Sequence, residues 1–223
     1  MIPLRSTERV SSPATITACL IAVNTALFLY ELTLSPGDLN RLFETWGIVP
    51  DQISQHLPSL ITSMFLHGGW LHLIGNMLFL WVFGRNVEDL IGSGRYLIFY
   101  VMCGVVSAVV QVIFTPYSRM PTIGASGAIA GVMGAYLIKF PRARILTLVT
   151  VFFFITTMDI PAAVLLLWWF AIQFFSGFGS LGSNDYNSGG VAFFAHIGGF
   201  LAGMLLIKLF PPRRRWRAWY ADD

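Results

Sequence analysis

Two reactive side chains stand far apart in otherwise apolar sequence. Ser126 lies in the Gly-Ala-Ser-Gly segment at 124–127, and His196 lies in the Ala-His-Ile-Gly-Gly segment at 195–199. A serine with a histidine as its base is the smallest set of side chains for nucleophilic acyl transfer. Polar and ionisable groups within membrane spans are energetically costly and usually serve a function. The pair therefore predicts a hydrolytic site inside the membrane.

The composition is typical of an integral membrane protein. Of the 223 residues, 56% are hydrophobic and 11% are charged, whereas a soluble domain carries about a quarter charged residues. Apolar runs near the length that crosses a bilayer, on the order of 20 residues, together with one shorter run, predict six transmembrane helices. These runs lie at 13–34, 66–84, 95–115, 125–140, 145–174 and 190–210.

The distribution of charge predicts the orientation in the membrane. With six spans, all of the 14 Lys and Arg residues except Arg41 and Arg119 fall on one side. The positive-inside rule then places both termini in the cytoplasm. Because the first residues resemble neither a signal peptide nor an organelle presequence, we expect a multi-pass protein of a prokaryotic cell (inner) membrane.

The chain is predicted to consist of a membrane domain between two tails. Residues 1–12 form a short cytoplasmic tail, 13–210 the membrane domain, and 211–223 a basic cytoplasmic tail. We interpret the basic tail as a stop signal with aromatic anchoring and expect no nucleic-acid partner. The segment 35–65 is predicted to form a long, partly embedded loop between the first two helices. The segment 176–189, rich in Gly, Ser and Asn, is predicted to be a mobile outer loop.

Three helices are predicted to bring polar groups to one depth. Counted back from the cation that ends each helix, Ser126, His196 and His72 lie about 18 to 20 Å from the cytoplasmic end. In a hydrocarbon core about 30 Å thick, this level is roughly 10 Å below the outer surface. Asn76 lies one turn from His72 on the same helix face. Both could donate hydrogen bonds to a tetrahedral oxyanion, beside the Ser126 N–H.

Small residues are predicted to pack the serine and histidine helices together. Ser126 begins its helix, where free N–H groups and the positive end of the helix dipole favour a developing anion. Stripes of small residues let helices approach closely in lipid, and the histidine lies on one such stripe. The stripes are Gly127, Gly131 and Gly134 on the helix that begins at Ser126, and His196, Gly199 and Gly203 on the helix of the histidine.

The motifs resemble those of the rhomboid family of intramembrane serine proteases. Residues 124–127 match its Gly-x-Ser-Gly motif, 72–76 its His-x-x-x-Asn motif, and 195–199 its Ala-His-x-x-Gly motif. The resemblance covers about 13–210, and the order of the motifs along the chain agrees. It implies an all-α, six-helix, rhomboid-like bundle in the lipid bilayer.

The resemblance also implies an activity and the roles of the site residues. Ser126 would be the nucleophile and His196 the general base of a dyad, with His72, Asn76 and the Ser126 N–H forming the oxyanion hole. Single-pass transmembrane proteins would be the substrates, with no cofactor or metal. The segment 35–65 would be the membrane-embedded first loop, and the fifth helix with the following loop would form the substrate gate.

Two departures from the family pattern concern how the site is held. Some members carry a tyrosine four residues after the serine that stacks on the catalytic histidine, and this position is Ala130 here. The Trp-Arg pair of the first loop in some relatives is also absent, since Trp-Arg occurs here only at 216–217. Another residue must therefore orient His196.

Three other functions are weaker predictions. A metalloprotein could use His67, His72 and His196 as ligands, but no His-Glu-x-x-His motif is present and Asn76 is a poor zinc ligand. A non-catalytic rhomboid-like protein could bind transmembrane clients, yet this chain keeps both serine and histidine. A transporter ranks last, because no paired repeat is visible.

The remaining polar residues are predicted to be structural. His67 is expected to fix the outer loop by hydrogen bonding. Arg85, Glu88 and Asp89 are expected to form an ion-paired cap at the cytoplasmic end. Asp159, inside the predicted fifth span and near Pro161, is expected to kink the helix or act in the gate.

Overall fold

The computed structural model describes residues 1–151, 154–180 and 191–213, and helices dominate this part of the chain. The α-helices are α1 Thr15–Glu31, α2 Pro36–Trp46, α3 Ser59–Thr62, α4 Trp70–Phe79, α5 Arg85–Ile91, α6 Ser93–Phe114, α7 Ser126–Lys139, α8 Ala162–Ser180 and α9 Phe193–Leu206. Short 3-10 turns lie at Pro50–Gln55, Ser63–Phe65 and Ile207–Leu209, and a π-helical turn at Leu80–Gly84 joins α4 to α5. The strands are β1 Ile2–Ser6, β2 Arg144–Val151 and β3 Phe154–Pro161.

Two helices, α6 and α8, are long and apolar enough to cross a membrane. Ser59–Phe65 and Trp70–Ile91 pass the same test together, with a bend of 98° between them, which gives a third candidate span. Shorter apolar helices lie at Thr15–Glu31, Ser126–Lys139 and Phe193–Leu209. The fold is thus that of a mostly helical membrane protein, and the count of six spans stays a prediction.

The segment after α7 is a β-hairpin, so the fifth span predicted over 145–174 is wrong for its first half. β2 pairs antiparallel with both β1 and β3 in a three-stranded sheet, and the expectation of an all-α fold is therefore also wrong. The hairpin is as apolar as a span but rich in Ile, Val and Thr, whose branched side chains favour strands. Buried Ile145, Thr147 and Val149 follow the period of two of a strand.

Asp159 lies on β3 and not in a membrane helix, so its predicted role in a helix kink is wrong. Its backbone carbonyl accepts a hydrogen bond of 2.9 Å from the guanidinium of Arg144. The acid belongs to the exposed part of the sheet, where a charged side chain costs little.

The first residues are bound to the rest of the protein, because β1 lies within the predicted tail 1–12 and pairs with β2. The hydroxyl groups of Ser6 and Tyr136 lie 2.6 Å apart in a buried contact that joins β1 to α7. The sheet therefore lies at the end of the bundle where α7 ends. The 13 residues from Ser126 to Lys139 place this end roughly 20 Å from Ser126.

Two buried carboxylates hold the start of α1. Glu88 accepts hydrogen bonds of 2.9 and 2.8 Å from the N–H groups of residues 16–17. Asp89 accepts hydrogen bonds from the N–H and hydroxyl groups of residues 11–12. The first N–H groups of a helix have no partner within it, so Glu88 caps α1 from a distant part of the chain, and Asp89 holds the segment just before the helix.

Some predicted segments lie only partly within the described residues. The long loop 35–65 contains α2, α3 and the turn at Pro50–Gln55. The outer loop predicted at 176–189 begins too early, because α8 continues to Ser180, and 181–189 lie outside the described residues. The basic tail lies outside them beyond Arg213.

The glycine stripes let α7 and α9 pack closely, and the two helices run parallel to each other. A Cβ atom on Gly199 would clash with the carbonyl oxygen of Gly127, and a Cβ atom on Gly203 would clash with that of Gly131. The two backbones therefore touch at successive turns, which is possible because these positions lack side chains.

Candidate active site

Ser126 is the first residue of α7, where its own N–H has no partner within the helix. The turn before it depends on Gly124, whose φ of +121° is a conformation that side chains disfavour. A Cβ atom on Gly124 would also lie 2.6 Å from Nε2 of His72. The N–H of Gly124 donates a 2.9 Å hydrogen bond to the carbonyl of Ser63, which holds the turn. The serine is thus presented at an open helix end.

His196 lies in the first turn of α9, beside Ser126. Its Nε2 is 2.7 Å from the Ser126 Oγ, so the structure brings these two sequence-predicted residues together. The histidine is 9% exposed. The N–H of Ala195 donates a 3.0 Å hydrogen bond to the side-chain oxygen of Gln111 on α6, which anchors the start of α9.

Gln173 on α8 contacts the other side of the imidazole ring, a role that the sequence analysis missed. Its Oε1 is 2.7 Å from Nδ1 of His196. Because an amide oxygen only accepts hydrogen bonds, Nδ1 carries the proton and Nε2 presents a lone pair to the hydroxyl of Ser126. This is the tautomer that a general base for serine requires.

Trp169 on α8 packs beside the histidine ring. Its ring centroid is 5.6 Å from that of His196, at an interplanar angle of 40°, while Ala130 is fully buried. Gln173 lies one turn further along α8, on the same face as Trp169. One signal in the sequence was available, since Gln173 is the single amide in the apolar run 162–175.

Asn76 and His72 on α4 face the turn that precedes Ser126. The Asn76 side chain is 8% exposed, and its Nδ2 has no hydrogen-bond partner among the described residues. A Cβ atom on Gly124 would lie 3.6 Å from this nitrogen. A buried donor without a partner is costly in the absence of a ligand. Asn76 therefore has a free donor, among the described residues, beside the turn that precedes Ser126.

His72 can supply a second donor. Its Nδ1 accepts a 3.4 Å hydrogen bond from the N–H of Gly68. In a neutral imidazole with Nδ1 as the acceptor, Nε2 carries the proton. Since Nε2 faces Gly124, this N–H is directed toward the same turn as the amide of Asn76.

His67 does not hold the loop through its ring. Its ring nitrogens are buried and have no hydrogen-bond partner among the described residues, whereas its backbone N–H lies 3.3 Å from both carboxylate oxygens of Glu31. The His67 and His72 ring centroids are 5.2 Å apart. The connection to α1 is therefore made by the backbone, and the ring packs against that of His72.

The geometry does not favour a metal site. Both ring nitrogens of His196 face protein atoms, those of Ser126 and Gln173. Across residues 1–151, 154–180 and 191–213, no three His, Cys, Asp or Glu side chains lie where they could hold a metal ion. The arrangement instead matches the groups that acyl transfer requires, namely a nucleophile, an oriented base and donors for an oxyanion.

A narrow cleft opens beside Ser126. The cleft has a volume of about 20 Å³, enough for about one water molecule, and both polar and apolar atoms line it. The lining residues include Ile48, Met64, Gly104, Ser107, Ile123 and Ala195.

Comparison with known proteins identifies the family. A family model for the rhomboid domain matches residues 54–213. Because this match covers more than half of the chain, the chain belongs to the rhomboid family, as its motifs predict.

Individual relatives agree with this assignment. Rhomboid protease GluP of Bacillus subtilis (strain 168) is 38% identical over 144 residues, which are 65% of this chain and 24% of the relative. Rhomboid protein 1, mitochondrial, of Saccharomyces cerevisiae is 27% identical over 205 residues, which are 86% of this chain and 52% of the relative. RHOMBOID-like protein 6, mitochondrial, of Arabidopsis thaliana is 33% identical over 159 residues, 70% of this chain and 45% of the relative. The chain thus matches about a quarter to a half of the length of these relatives.

Proposed function

We propose that this protein is a serine endopeptidase that hydrolyses peptide bonds in or next to the transmembrane segments of single-pass proteins. The 2.7 Å contact between Ser126 Oγ and His196 Nε2 carries this proposal. The lone pair of Nε2 takes the hydroxyl proton while Oγ attacks the carbonyl carbon of the substrate. One rhomboid relative, GluP, is named a protease, which supports the same activity.

The reaction proceeds through two tetrahedral intermediates. In the first, the Asn76 amide, the Ser126 N–H and the His72 N–H donate to the oxyanion. His196 then passes its proton to the leaving amine, and an acyl group remains on Ser126. Water attacks this ester with His196 again as base, which releases a carboxylic acid and restores the serine. Peptide and water yield acid and amine, so the reaction is complete without a cofactor or metal.

The proposed orientation puts both termini and the sheet on the cytoplasmic side of a prokaryotic cell membrane. Lys139 at the end of α7 and Arg142 and Arg144 at the start of the hairpin support this side, because cytoplasmic loops are enriched in Lys and Arg. Ser126 would then lie in the outer half of the membrane, where water can reach it. Helices hide their carbonyls in internal hydrogen bonds, so we expect substrates with helix-weakening Gly, Ala, Ser or Pro near their outer end.

Proteoliposomes with two matched single-span substrates test the proposal. One substrate carries Gly, Ala, Ser and Pro at the outer end of its span, and the other carries Leu at the same positions. We expect the parent protein to cleave the first substrate faster and Ser126→Ala to cleave neither.

The other outcomes of this assay would each contradict a different part of the proposal. Cleavage by Ser126→Ala would refute the assigned nucleophile, and equal cleavage of both substrates would refute the helix-weakening preference. If the folded parent bound the substrates without cleaving them, the protein would be a non-catalytic binder of transmembrane clients.

A further inference from the structure

We infer that Gln173 is the positioning residue of the site and holds His196 in the tautomer that can deprotonate Ser126. This inference deepens the proposed function and rests on it for its catalytic meaning. The ring is bound at both edges, with Nε2 2.7 Å from Ser126 Oγ and Nδ1 2.7 Å from Gln173 Oε1. A third residue that orients the base thus comes from a helix on which no catalytic motif lies.

Burial makes the contact with Gln173 effective. Gln173 and His196 are each 9% exposed, so water competes little for their hydrogen bond. Without an acceptor at Nδ1, a neutral imidazole can place its proton on either nitrogen, and a proton on Nε2 removes the lone pair that faces Ser126. The amide oxygen selects one of the two forms.

Packing between α8 and α9 holds Gln173 in place. Phe170 stacks on Phe200 with ring centroids 4.9 Å apart and an interplanar angle of 28°. Further along α8, a Cβ atom on Gly177 would lie 3.0 Å from the Cβ of Phe193. Gln173 lies between these two contacts, so its side chain reaches His196 from a fixed backbone.

The uncharged amide orients the base without adding a negative charge. A carboxylate in this position would also stabilise the imidazolium that forms during the reaction, as the acid of a serine-protease triad does. Gln173 supplies the orienting part of that role alone. Trp169 packs against the ring of His196 from the side, which limits its rotation.

The tautomer can be measured without any catalytic turnover. The chain has four histidines, so ¹⁵N-histidine NMR signals of the whole protein in detergent can be assigned by single substitutions. In the parent we expect His196 to be protonated on Nδ1 and unprotonated on Nε2. In Gln173→Leu we expect both tautomers to be populated. An unchanged tautomer in Gln173→Leu would overturn the inference.

The rate of fluorophosphonate labelling of Ser126 adds the catalytic readout. We expect Gln173→Leu to slow labelling roughly tenfold to a hundredfold, the scale of a misplaced catalytic group. Gln173→Glu keeps an acceptor and should recover most of the rate. Asn24→Leu is the matched control, because Asn24 is a fully buried amide on α1 whose hydrogen bond is to Leu20. It should label at the parental rate.

The two readouts separate the inference from the proposed function. If the parent did not label but its tautomer depended on Gln173, the proposed activity would fail and the positioning role would stand. If Gln173→Leu labelled at the parental rate, or if Gln173→Glu did not recover the rate lost in Gln173→Leu, the positioning role would be refuted while the proposed activity stood.

Discussion

At the scale of single residues, some polar atoms of the site have a hydrogen-bond partner within the described residues and others do not. Both ring nitrogens of His196 are bonded, one to Ser126 and one to Gln173. The Nδ2 group of Asn76 is buried without a partner among the described residues. In the proposed mechanism, the base is therefore oriented before substrate arrives, whereas the hydrogen bond of the oxyanion donor would form only when the negative charge develops. This is the difference that favours the transition state over the bound substrate.

The free donor of Asn76 predicts that activity and stability respond differently to its removal. Asn76→Ala should reduce the rate of cleavage by about 10²- to 10³-fold, the usual effect of losing one oxyanion donor. Its effect on the unfolding temperature should be small, because no bond to Nδ2 is lost. Cleavage assays and thermal unfolding in detergent measure the two effects.

Gln111→Ala is the comparison for the Asn76 variant. The Gln111 amide accepts a hydrogen bond from the Ala195 N–H, so its loss leaves a buried donor unpaired and should cost about 1–3 kcal/mol of stability. An Asn76→Ala protein that cleaves at the parental rate would refute the oxyanion role.

Motif residues could be predicted from the sequence, but the roles of their supporting residues could not. Ser126, His196, His72 and Asn76 were recognisable because their type and spacing suggest chemistry. Gln173 has no such spacing, and its role depends on how α8 docks against α9, a contact between sequence-distant residues.

At the scale of elements, the serine and histidine meet because α7 and α9 pack backbone against backbone at their glycine positions. Gly127 and Gly131 on α7 face Gly199 and Gly203 on α9 across a gap that admits no side chain. Van der Waals contact of this kind is a main source of helix association in lipid. The distance between Ser126 and His196 therefore depends on glycines up to two turns away.

Widening the contact between α7 and α9 should disrupt the site. In Gly203→Ala the new methyl would clash with the backbone oxygen of Gly131, which cannot rotate away as a side chain can. We expect a loss of about 1–3 kcal/mol of stability, the usual cost of overpacking, and a slower reaction of Ser126. Thermal unfolding and fluorophosphonate labelling measure these two changes.

Gly94→Ala is the matched control on α6, since a Cβ atom there meets nothing within 4 Å. It should be neutral or slightly stabilising, as alanine is favoured over glycine in helices. Equal unfolding temperatures for the two variants would contradict the role given to the α7–α9 contact.

The elements also show where sequence patterns mislead. The apolar runs at α1, α4, α6, α7 and α9 correspond to helices, but the run at 144–161 forms β2 and β3. Hydropathy measures only apolar content, which a buried strand shares with a membrane helix. Pairing with β1, which lies far away in the sequence, could not be read from the local pattern.

At the scale of the whole molecule, the candidate site and the sheet lie at opposite ends of α7. The site is at the start of this helix, and the sheet follows its last residue, Lys139. With the charge distribution, this arrangement predicts that the loop before α7 faces outward and the hairpin faces the cytoplasm.

Introduced cysteines can test this orientation. In a protein with Cys19 and Cys103 replaced by alanine, Tyr117→Cys lies in the exposed loop before α7, and Thr157→Cys lies on exposed β3. A membrane-impermeant thiol reagent on intact cells should modify Tyr117→Cys and should modify Thr157→Cys only after permeabilisation. The reverse pattern would contradict the orientation.

Fluorophosphonate labelling of the membrane-embedded protein tests the central claim most directly, because the probe requires an activated serine but no knowledge of the substrate. We predict labelling that maps to Ser126 and is lost in both Ser126→Ala and His196→Ala. The absence of labelling in correctly folded parent protein, or labelling that persists in either variant, would contradict the account.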